Sequence, residues 1–598
     1  MATSPDRSLH RSVDGHRRPP DWWKRAVVYQ IYPRSFADGD GDGVGDLAGI
    51  LDRLDHLADL GVDAVWLSPI CRSPQVDNGY DVSDYRSIDP VFGTLEQFDE
   101  LVARLHDRGI RLIVDIVANH TSDQHPWFLD SRSSPDGERG AWYHWRPPRP
   151  GLTGGEPGAE PNDWTATFGG PAWTFDQVRG AYYLHSFAPS QPDLNWELPA
   201  VRLALYEMLR WWAGRGVDGF RFDVINLISK PTGFVEGRPW SRPWAGSPLR
   251  SATATGAAVA AFANGPRLHE FLAEMHREVG FTERGLVTIG EMPELTTEVA
   301  ARVSDPTRRE LSMAFGFEHV EVGHVDGATK WEAEPVDLGE VKRCLARWQT
   351  DMDEVAWNSL YLGNHDQPRS LSQFGDDGRF RIESAKTLAT LLLCHRGTPF
   401  VYQGDEIGMT NTSLQLDEYD DVESINYRDR ALADGTPIDE VRRALARRSR
   451  DHARTPMQWD GSPSAGFTTG RPWLPVNVNA ESINVELAAA EPESVLAHYR
   501  RLIRLRREEP ALLTGRFELL LPDHPTIWAF VRRLPEVAVL VVANVGSASV
   551  AVTDLPSPGP AYGELLLGTH RVSEEADGAD EVVLRPWESR IVRLDERR

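Results

Sequence analysis

Two stretches of the sequence decide the fold, RLIVDIVANH at residues 111–120 and GFRFDVIN at residues 219–226. Each is an apolar run rich in β-branched and aromatic residues that ends in polar side chains, and LVTIGEMP (286–293) and SLYLGNHDQPR (359–369) have the same form. Barrels of alternating strands and helices carry their chemistry at the carboxyl ends of the strands. The four stretches therefore predict barrel strands whose polar ends lie on one rim.

Eight runs of this kind predict a complete (β/α)8 or TIM barrel. Between them lie amphipathic segments such as 197–216 and 264–280, whose apolar residues recur at helical spacing. Eight strands that alternate with helices favour a closed barrel over an open sheet. The predicted strands begin near Val27, Ala64, Arg111, Gly219, Leu286, Leu311, Ser359 and Thr398.

Changes in pattern divide the chain into four parts. Residues 1–20 are charged and poor in apolar groups, which predicts a flexible lead-in. Residues 121–190 are rich in Pro, Gly and Trp and too long for a βα loop, so they predict a subdomain inserted after the third strand. The barrel then comprises 21–120 and 191–515. Short strands with turn signals in 516–598 predict a C-terminal antiparallel β-sandwich domain.

The charge of the chain argues against two classes of partner. Its 598 residues include 89 acidic and 64 basic ones, and the net charge of -25 would repel nucleic acid and anionic membranes. The chain has no run of about 18 apolar residues, and its first residues lack the apolar core of a signal peptide. Cys71, Cys344 and Cys394 are too few for a disulfide framework. We therefore expect a cytoplasmic protein with reduced cysteines.

Several ionisable groups stand at the polar ends of the strands. Arg221 and Asp223 are two apart on one strand, so they face the same side. A lone aspartate at a strand end is usually a helix cap, but converging carboxylates need a functional or metal-binding reason. A carboxylate pair without a metal cluster suits glycoside hydrolysis. The candidates are Asp115, Asn119, His120, Arg221, Asp223, Glu291, Asn364, His365 and Asp366.

From about Trp22 onward the sequence resembles the α-amylase superfamily, glycoside hydrolase family 13. The motifs DIVANH, QPDLNW, GFRFDVINLISK, GEMP and LGNHDQPR carry the resemblance, in this order. The resemblance implies a retaining mechanism with Asp223 as the nucleophile and Glu291 as the general acid/base. It also implies that Asp366 is a third carboxylate, which holds the sugar and stabilises the transition state.

The resemblance also assigns supporting residues. Arg221 would keep the nucleophile ionised by charge pairing, and His120 and His365 would donate hydrogen bonds to hydroxyls of the sugar being cleaved. Phe168 and Gln191 resemble further pocket residues, contributed by the insertion and the segment after it. These residues would line a pocket for a small oligosaccharide or disaccharide.

The far end of the expected pocket resembles that of exo-acting family members. Tyr80 in VDNGYDVSDY would stack on the terminal glucose, although alone it would more often be a core residue. Asp77 and Arg454, the latter in RTPMQW, match the pair that holds the outermost hydroxyl. A charge pair there would close the pocket beyond one sugar, so the resemblance implies removal of single glucose units from non-reducing ends.

The loop DGDGDGVGD (38–46) has the alternating oxygen-bearing residues of a calcium loop. The bidentate glutamate expected at the twelfth position of such a loop is absent, because Gly49 stands there. The resemblance supports a structural Ca²⁺, favoured over Mg²⁺, and a solvated acidic turn is the alternative. No organic cofactor is expected. The candidate ligands are the side chains of Asp38, Asp40, Asp42 and Asp46 and the carbonyl of Val44.

Within the family the sequence most resembles the oligo-1,6-glucosidases. Val224, directly after the nucleophile, matches the residue usual in members that cleave α-1,6 bonds, and one apolar contact changes specificity by about 1–3 kcal/mol. The segment FGFEHVEVGHVDG (315–327) resembles the acceptor stretch of hydrolytic members and lacks the arginine-rich motif of sucrose isomerases.

Three other functions remain open from the sequence. A trehalose-6-phosphate hydrolase would need a basic phosphate pocket near the acceptor site. A transglycosylase or sucrose isomerase would pass the same covalent intermediate to a sugar instead of water. A non-catalytic partner of a membrane transporter would need a transmembrane span, which this sequence lacks. The sequence does not specify an oligomeric state.

Overall fold

The computed structural model describes residues 21–230, 263–324, 330–332, 334–553, 555, 563–570 and 582–594. The predicted lead-in, residues 1–20, lies outside the described residues, as do residues 325–327 of the predicted acceptor stretch and parts of the predicted C-terminal domain. No helix in the described ranges combines the length and the apolar composition needed to span a membrane.

Eight parallel strands form a nearly closed barrel. Their order around the sheet is β6-β5-β4-β3-β2-β1-β8-β7. The two end strands, β6 and β7, are joined by the side chain of Ser359, whose Oγ donates to the carbonyl of Ala314 at 2.7 Å. The predicted (β/α)8 barrel is confirmed. The strands are β1 (Val28–Ile31), β2 (Ala64–Leu67), β3 (Arg111–Val117), β4 (Gly219–Asp223), β5 (Val287–Glu291), β6 (Met313–Phe315), β7 (Ser359–Leu360) and β8 (Thr398–Tyr402).

The register of the central strands brings the polar strand ends together. Asp115 on β3 is paired with Arg221 on β4, and Val117 with Asp223. On the other side of β4, Phe222 pairs with Gly290, so Glu291 lies level with Asp223. A Cβ atom at Gly290 would come within 2.6 Å of a Leu311 side-chain carbon, and only glycine fits that close approach.

Helices cover the outside of the barrel. Six of the longest are Leu95–Asp107, Pro199–Gly214, Leu268–Val279, Leu338–Asp351, Arg381–Cys394 and Val495–Glu508. Val495–Glu508 ends before Pro510, which has no N–H to continue it, and a second helix begins there. The other helices are Leu47–Asp52, Leu54–Leu60, Pro126–Ser133, Phe281–Arg284, Thr297–Val303, Ser370–Phe374, Val422–Ala433, Ile438–Arg448, Asp451–Arg454, Val485–Ala490 and Pro510–Thr514.

The insertion after β3 contains a small antiparallel sheet of three strands. Their order is Trp145–Arg146, Ala181–Leu184 and Trp173–Asp176. The aromatic core of the insertion includes Trp164 and Phe187 and extends to Val224, the residue after the end of β4. Packing of the insertion is therefore coupled directly to the barrel rim.

The C-terminal region is an antiparallel β-domain, as predicted. Two sheets pack through apolar side chains that include Ile527, Val542, Val552 and Leu584. The smaller sheet pairs Val550–Val552 with Val582–Leu584. The larger has, in order, the strands Arg516–Leu520, Ile527–Leu534, Val537–Asn544, Ser589–Leu594 and Gly563–Gly568.

A buried arginine joins this domain to the barrel helices. Arg532 has no solvent exposure, and among the described residues its guanidinium donates hydrogen bonds to carbonyl oxygens. It donates to Cys394 at 2.6 Å, to Leu512 at 2.9 Å, and to Gly515 at 3.1 and 2.9 Å. These carbonyls lie at or just after the C-terminal ends of two helices, where carbonyls lack partners within the helix.

We predict that Arg532→Met lowers the free energy of unfolding by about 3 kcal/mol, because buried carbonyls lose a charged donor. Arg533→Met is the matched control, since Arg533 is exposed on the same strand and should change stability by less than about 0.5 kcal/mol. Denaturant unfolding followed by circular dichroism measures both. Equal effects would show that Arg532 does not tie the domains together.

Candidate active site

One buried guanidinium lies at the centre of the strand ends. Arg221 is 1 % exposed, and its Nη1 lies 2.9 Å from Asp115 Oδ1 and 2.8 Å from Asp223 Oδ1. Its Nη2 lies 2.6 Å from Glu291 Oε1. The structure thus brings together the predicted nucleophile and the predicted acid/base on one cation.

The pair of carboxylates is tightly coupled. Burial raises the pKa of Asp223 well above its usual value, the charge of Glu291 raises it further, and Arg221 opposes both. Arg221 was expected to keep Asp223 ionised, but its charge is divided among three carboxylates, Asp115, Asp223 and Glu291. Arg221 therefore offsets only part of the rise in the pKa of Asp223.

Val224 has a strained backbone beside this pair. Its φ of 34° and ψ of 43° lie in the left-handed region, which β-branched residues seldom adopt. The turn directs its N–H to Glu291 Oε2 at 3.2 Å, while its side chain lines the cavity. Local strain that persists at a site is held in place by surrounding structure. The strained turn therefore orients both the acid/base carboxylate and the residue predicted to affect linkage.

Asp366 faces the pair and is held by two arginines. Its Oδ1 lies 3.0 Å from both Arg450 Nη1 and Arg454 Nη2. Burial raises the pKa of Asp366, but the neighbouring His365 and the charges of these two arginines outweigh it and hold the pKa well below its usual range. Asp366 is therefore ionised, as a carboxylate that binds sugar hydroxyls should be.

The arginine beside Asp77 is not the one expected from the sequence. Arg450 Nη2 lies 3.7 Å from Asp77 Oδ1, and Arg450 lines the cavity. Arg454 lies deeper, with no solvent exposure, and its Nε donates to the carbonyl of His365 at 2.9 Å. The prediction that Arg454 closes the pocket with Asp77 is therefore wrong. The two arginines are four apart, so one helical turn directs both to Asp366, and spacing could not distinguish them.

Asp77 remains available for a ligand. Its Oδ2 accepts from Gln191 Nε2 at 3.0 Å, whereas its Oδ1 is buried and has no hydrogen-bond partner among the described residues. Burial raises the pKa of Asp77 to about 7, and Arg450 and Arg454 oppose the rise. A buried acceptor without a donor is unfavourable unless a ligand supplies one. A sugar hydroxyl would be such a donor.

The two predicted histidines take different places. His120 lines the cavity, and burial lowers its pKa to about 4. His365 has no solvent exposure and lies behind Tyr80, whose ring is nearly parallel to its own. The amide of Gln30 lies 2.8 Å from His365 Nδ1, which leaves Nε2–H to donate to Tyr80 Oη or Asp366 Oδ2. His365 therefore reaches the pocket wall through its neighbours.

The insertion supplies an aromatic wall. Phe168 and Phe187 lie 5.6 Å apart between ring centres, and both line the cavity. The guanidinium carbon of Arg450 lies 5.3 Å from the centre of the Phe168 ring, within range of a cation–π contact. This contact joins the insertion to the closed end of the pocket.

The predicted residues form one cavity of about 110 Å³. Asp77, Tyr80, His120, Phe168, Asp223, Val224, Glu291 and Asp366 line it, while Gln191, Arg221, His365 and Arg454 lie directly behind its wall. Sequence reasoning missed ten lining residues. Some of them lie in motifs quoted above, but none of these motifs contains Glu423 or Arg448. The ten are Phe187, Phe317, Glu321, His324, Lys330, Gln367, Pro368, Glu423, Arg448 and Arg450.

The predicted calcium loop forms a cluster of three carboxylates. Oxygen atoms of Asp38, Asp40 and Asp42 lie within 4.8 Å of one another. Asp46 is outside this group of three: its Oδ1 accepts from Gly49 N at 2.6 Å and caps the helix that follows. Its role as a fourth carboxylate ligand stays a prediction. The N–H of Val44 donates to Asp42 Oδ1 at 2.8 Å, and its carbonyl stays a predicted ligand.

Comparison with known proteins identifies the family. Residues 30–515 match the alpha-amylase family, described as the alpha amylase catalytic domain. The oligo-1,6-glucosidase of Parageobacillus thermoglucosidasius is 46 % identical over 96 % of this chain and 99 % of its own. The trehalose-6-phosphate hydrolase of Escherichia coli (strain K12) is 45 % identical over 95 % of this chain and 98 % of its own.

A solved structure extends the comparison to the fold. The crystal structure of Bacillus licheniformis trehalose-6-phosphate hydrolase is 40 % identical and superposes with a TM-score of 0.87, covering 96 % of this chain and 100 % of that one. The barrel, the buried carboxylates and these relatives lead to the same assignment. The chain belongs to the α-amylase superfamily, in the subgroup of the oligo-1,6-glucosidases, and is a glycoside hydrolase.

Proposed function

We propose that this enzyme is a retaining, exo-acting α-glucosidase that releases terminal glucose from the non-reducing ends of short oligosaccharides and favours α-1,6 bonds. The observation that carries the proposal is the pair of Asp223 and Glu291 on the shared guanidinium of Arg221. Retaining enzymes need carboxyls about 5–5.5 Å apart, whereas inverting enzymes keep them about 6.5–9.5 Å apart. Two carboxylates on one guanidinium fit the shorter spacing.

In the first step a carboxylate oxygen of Asp223 attacks the anomeric carbon of the terminal glucose. The bond to the glycosidic oxygen breaks, and Glu291 gives its proton to that oxygen. Glu291 must therefore carry its proton when this bond breaks. Arg221, which contacts both, stabilises the negative charge that stays on Asp223 until attack.

In the second step water replaces the leaving group. Glu291, now ionised, takes a proton from the water, whose oxygen attacks the anomeric carbon and releases Asp223. Asp366, held ionised by its two arginines, would accept hydrogen bonds from the hydroxyls of the same glucose. Two inversions at one carbon retain the α configuration.

Exo action is supported by the closed end of the cavity. Asp77, Arg450 and the aromatic wall that includes Phe168 line the same cavity as the catalytic pair, and together they would close it beyond one sugar. Asp77 Oδ1, which accepts no hydrogen bond from the described residues, and the guanidinium of Arg450 suit the outermost hydroxyls of a chain end. An internal segment of a polysaccharide has no such end to offer.

The preference for α-1,6 bonds rests on Val224 and on the relatives. Val224 lines the cavity immediately after the nucleophile. Trehalose-6-phosphate hydrolases have a similar sequence identity to this chain, so similarity does not separate the two functions. Activity on the two substrates separates them. A cytoplasmic location belongs to the same proposal, and its support is the three free cysteines Cys71, Cys344 and Cys394, all of them buried.

A structural divalent cation, preferably Ca²⁺, is a further part of the proposal. The carboxylates of Asp38, Asp40 and Asp42 form an all-oxygen donor set, which suits a hard cation. Thr468 donates to Asp38, so a bound ion would fix the loop against a distant segment of the barrel. The ion would have no role in bond cleavage.

Initial rates on isomaltose, maltose, sucrose, trehalose and trehalose 6-phosphate test the proposed function. We expect isomaltose to be cleaved fastest, with α-glucose as the first anomer seen by NMR. Asp223→Asn should lower the rate by about 10⁴-fold or more with its circular dichroism spectrum unchanged. β-Glucose as the first anomer would refute retention. Faster cleavage of trehalose 6-phosphate than of isomaltose would establish a trehalose-6-phosphate hydrolase, and isomerisation of sucrose would establish a sucrose isomerase.

Arg450 and Arg454 should separate substrate binding from stability. Arg450→Lys should lower kcat/KM for isomaltose about tenfold to hundredfold, because lysine lacks the planar donors that reach Asp77 and Asp366. Arg454→Lys should lower mainly the free energy of unfolding, by about 2 kcal/mol, because its carbonyl and carboxylate contacts are buried. The reverse pattern would restore Arg454 as the residue that grips the sugar.

Chelation tests the cation. We expect EDTA to lower the midpoint of thermal unfolding and Ca²⁺ to restore it, since an ion at 100 times its dissociation constant stabilises by about 2.7 kcal/mol. In Asp40→Asn the response to EDTA should shrink while glucose release in excess Ca²⁺ persists. If neither EDTA nor Ca²⁺ changes the midpoint of thermal unfolding, the loop is an acidic turn that binds no ion.

A further inference from the structure

One lining residue of the pocket is a buried cation without an acidic partner among the described residues. Arg448 ends the helix Ile438–Arg448 and is 5 % exposed. Its Nε is buried and has no hydrogen-bond partner in the part of the chain that the structure describes. Burial lowers the pKa of Arg448 to about 10, and the charge of Arg447 lowers it further.

A structural role does not account for this burial. A cation near a helix C-terminus gains from the helix dipole, but the exposed neighbour Arg447 has the same gain without being buried. Buried charges are strongly unfavourable unless they are paired or hydrogen-bonded. The other cations that line the cavity follow this rule, since Lys330 pairs with Glu423 and Arg450 with Asp366. Arg448 is the exception, which points to a ligand as its partner.

The position of Arg448 indicates which part of a ligand it meets. The reacting glucose must lie against Asp223, Glu291 and Asp366, with Asp77 and Arg450 beyond it at the closed end. Arg448 lines the same cavity, but among the described residues it makes no ion pair with Asp77, Asp223, Glu291 or Asp366, which Arg221, Arg450 and Arg454 hold. It therefore lies apart from the carboxylates around the reacting glucose, on the side that the leaving group would occupy.

The surrounding charges favour a neutral ligand over a phosphorylated one. Glu321 lines the same cavity, and burial followed by the charges of Glu294 and Glu318 raises its pKa well above the usual value. The same surroundings would disfavour a phosphate dianion. The hydroxyls of a neutral sugar can accept from a guanidinium and also donate to a carboxyl.

We propose that Arg448 is a specificity-determining residue that donates hydrogen bonds to hydroxyl oxygens of the leaving-group sugar, so that the site recognises a second, neutral glucose ring. The inference rests on the proposed function, and it adds a role for a residue outside every motif in the sequence. It also makes the enzyme's preference for disaccharides over simple glucosides depend on a single guanidinium.

The test compares two substrates with the same reacting glucose. Isomaltose has a sugar as its leaving group, whereas p-nitrophenyl α-glucoside has an aromatic one without sugar hydroxyls. In Arg448→Met we expect kcat/KM for isomaltose to fall about tenfold to hundredfold, and its ratio to kcat/KM for the aryl glucoside to fall at least about tenfold. Arg447→Met is the matched control and should leave this ratio unchanged.

Stability gives an independent readout. Replacement of an uncompensated buried charge by methionine should raise the midpoint of thermal unfolding, whereas loss of a structural ion pair would lower it. Arg448→Lys keeps the charge but has fewer donors, so it should give an intermediate loss of the ratio if the methionine variant does not fold.

The outcomes separate the two proposals. A wild-type enzyme that releases no glucose from either substrate would refute the proposed function. An active wild type with an unchanged substrate ratio in the Arg448 variants would overturn only the role of Arg448. A selective loss of trehalose 6-phosphate cleavage would replace the neutral sugar with a phosphate as its ligand.

Discussion

The contacts of the Arg221 guanidinium are the interaction on which the site depends. Three buried carboxylates, Asp115, Asp223 and Glu291, meet it within 2.9 Å. Without this cation their mutual repulsion and desolvation would force them to take up protons or move apart. With it, the three carboxylates stay together in one buried site, which is the arrangement that the proposed two-step displacement needs.

The barrel gives this ionic cluster its geometry. Arg221 and Asp223 are alternate residues of β4, and the register with β3 and β5 places their carboxylate partners on either side. The insertion completes the site, because its aromatic core continues into Val224 and because Phe168 contacts Arg450. A second ionic layer around Asp366 fixes the wall opposite Asp223. Paired buried charges thus connect the site residues to the barrel strands and to the insertion.

Much of this arrangement was predictable from local patterns. Apolar runs ending in polar residues located all eight strands and the three carboxylates predicted to be catalytic, because strand ends in a parallel barrel share one rim. The choice between Arg450 and Arg454 was not predictable, since residues four apart on a helix face the same way and differ only in depth. Arg448 lies outside any motif, and only its burial reveals it.

The central claim is that Asp223 becomes covalently bonded to glucose during turnover. Trapping with a slowly hydrolysed fluorinated glucosyl fluoride, followed by peptide mass spectrometry, tests it most directly. With Asp223 as the nucleophile, the label should be found on Asp223, in the peptide that contains GFRFDVIN. A label on Glu291 or on Asp366, or turnover of the reagent with inversion and no labelled peptide, would contradict it.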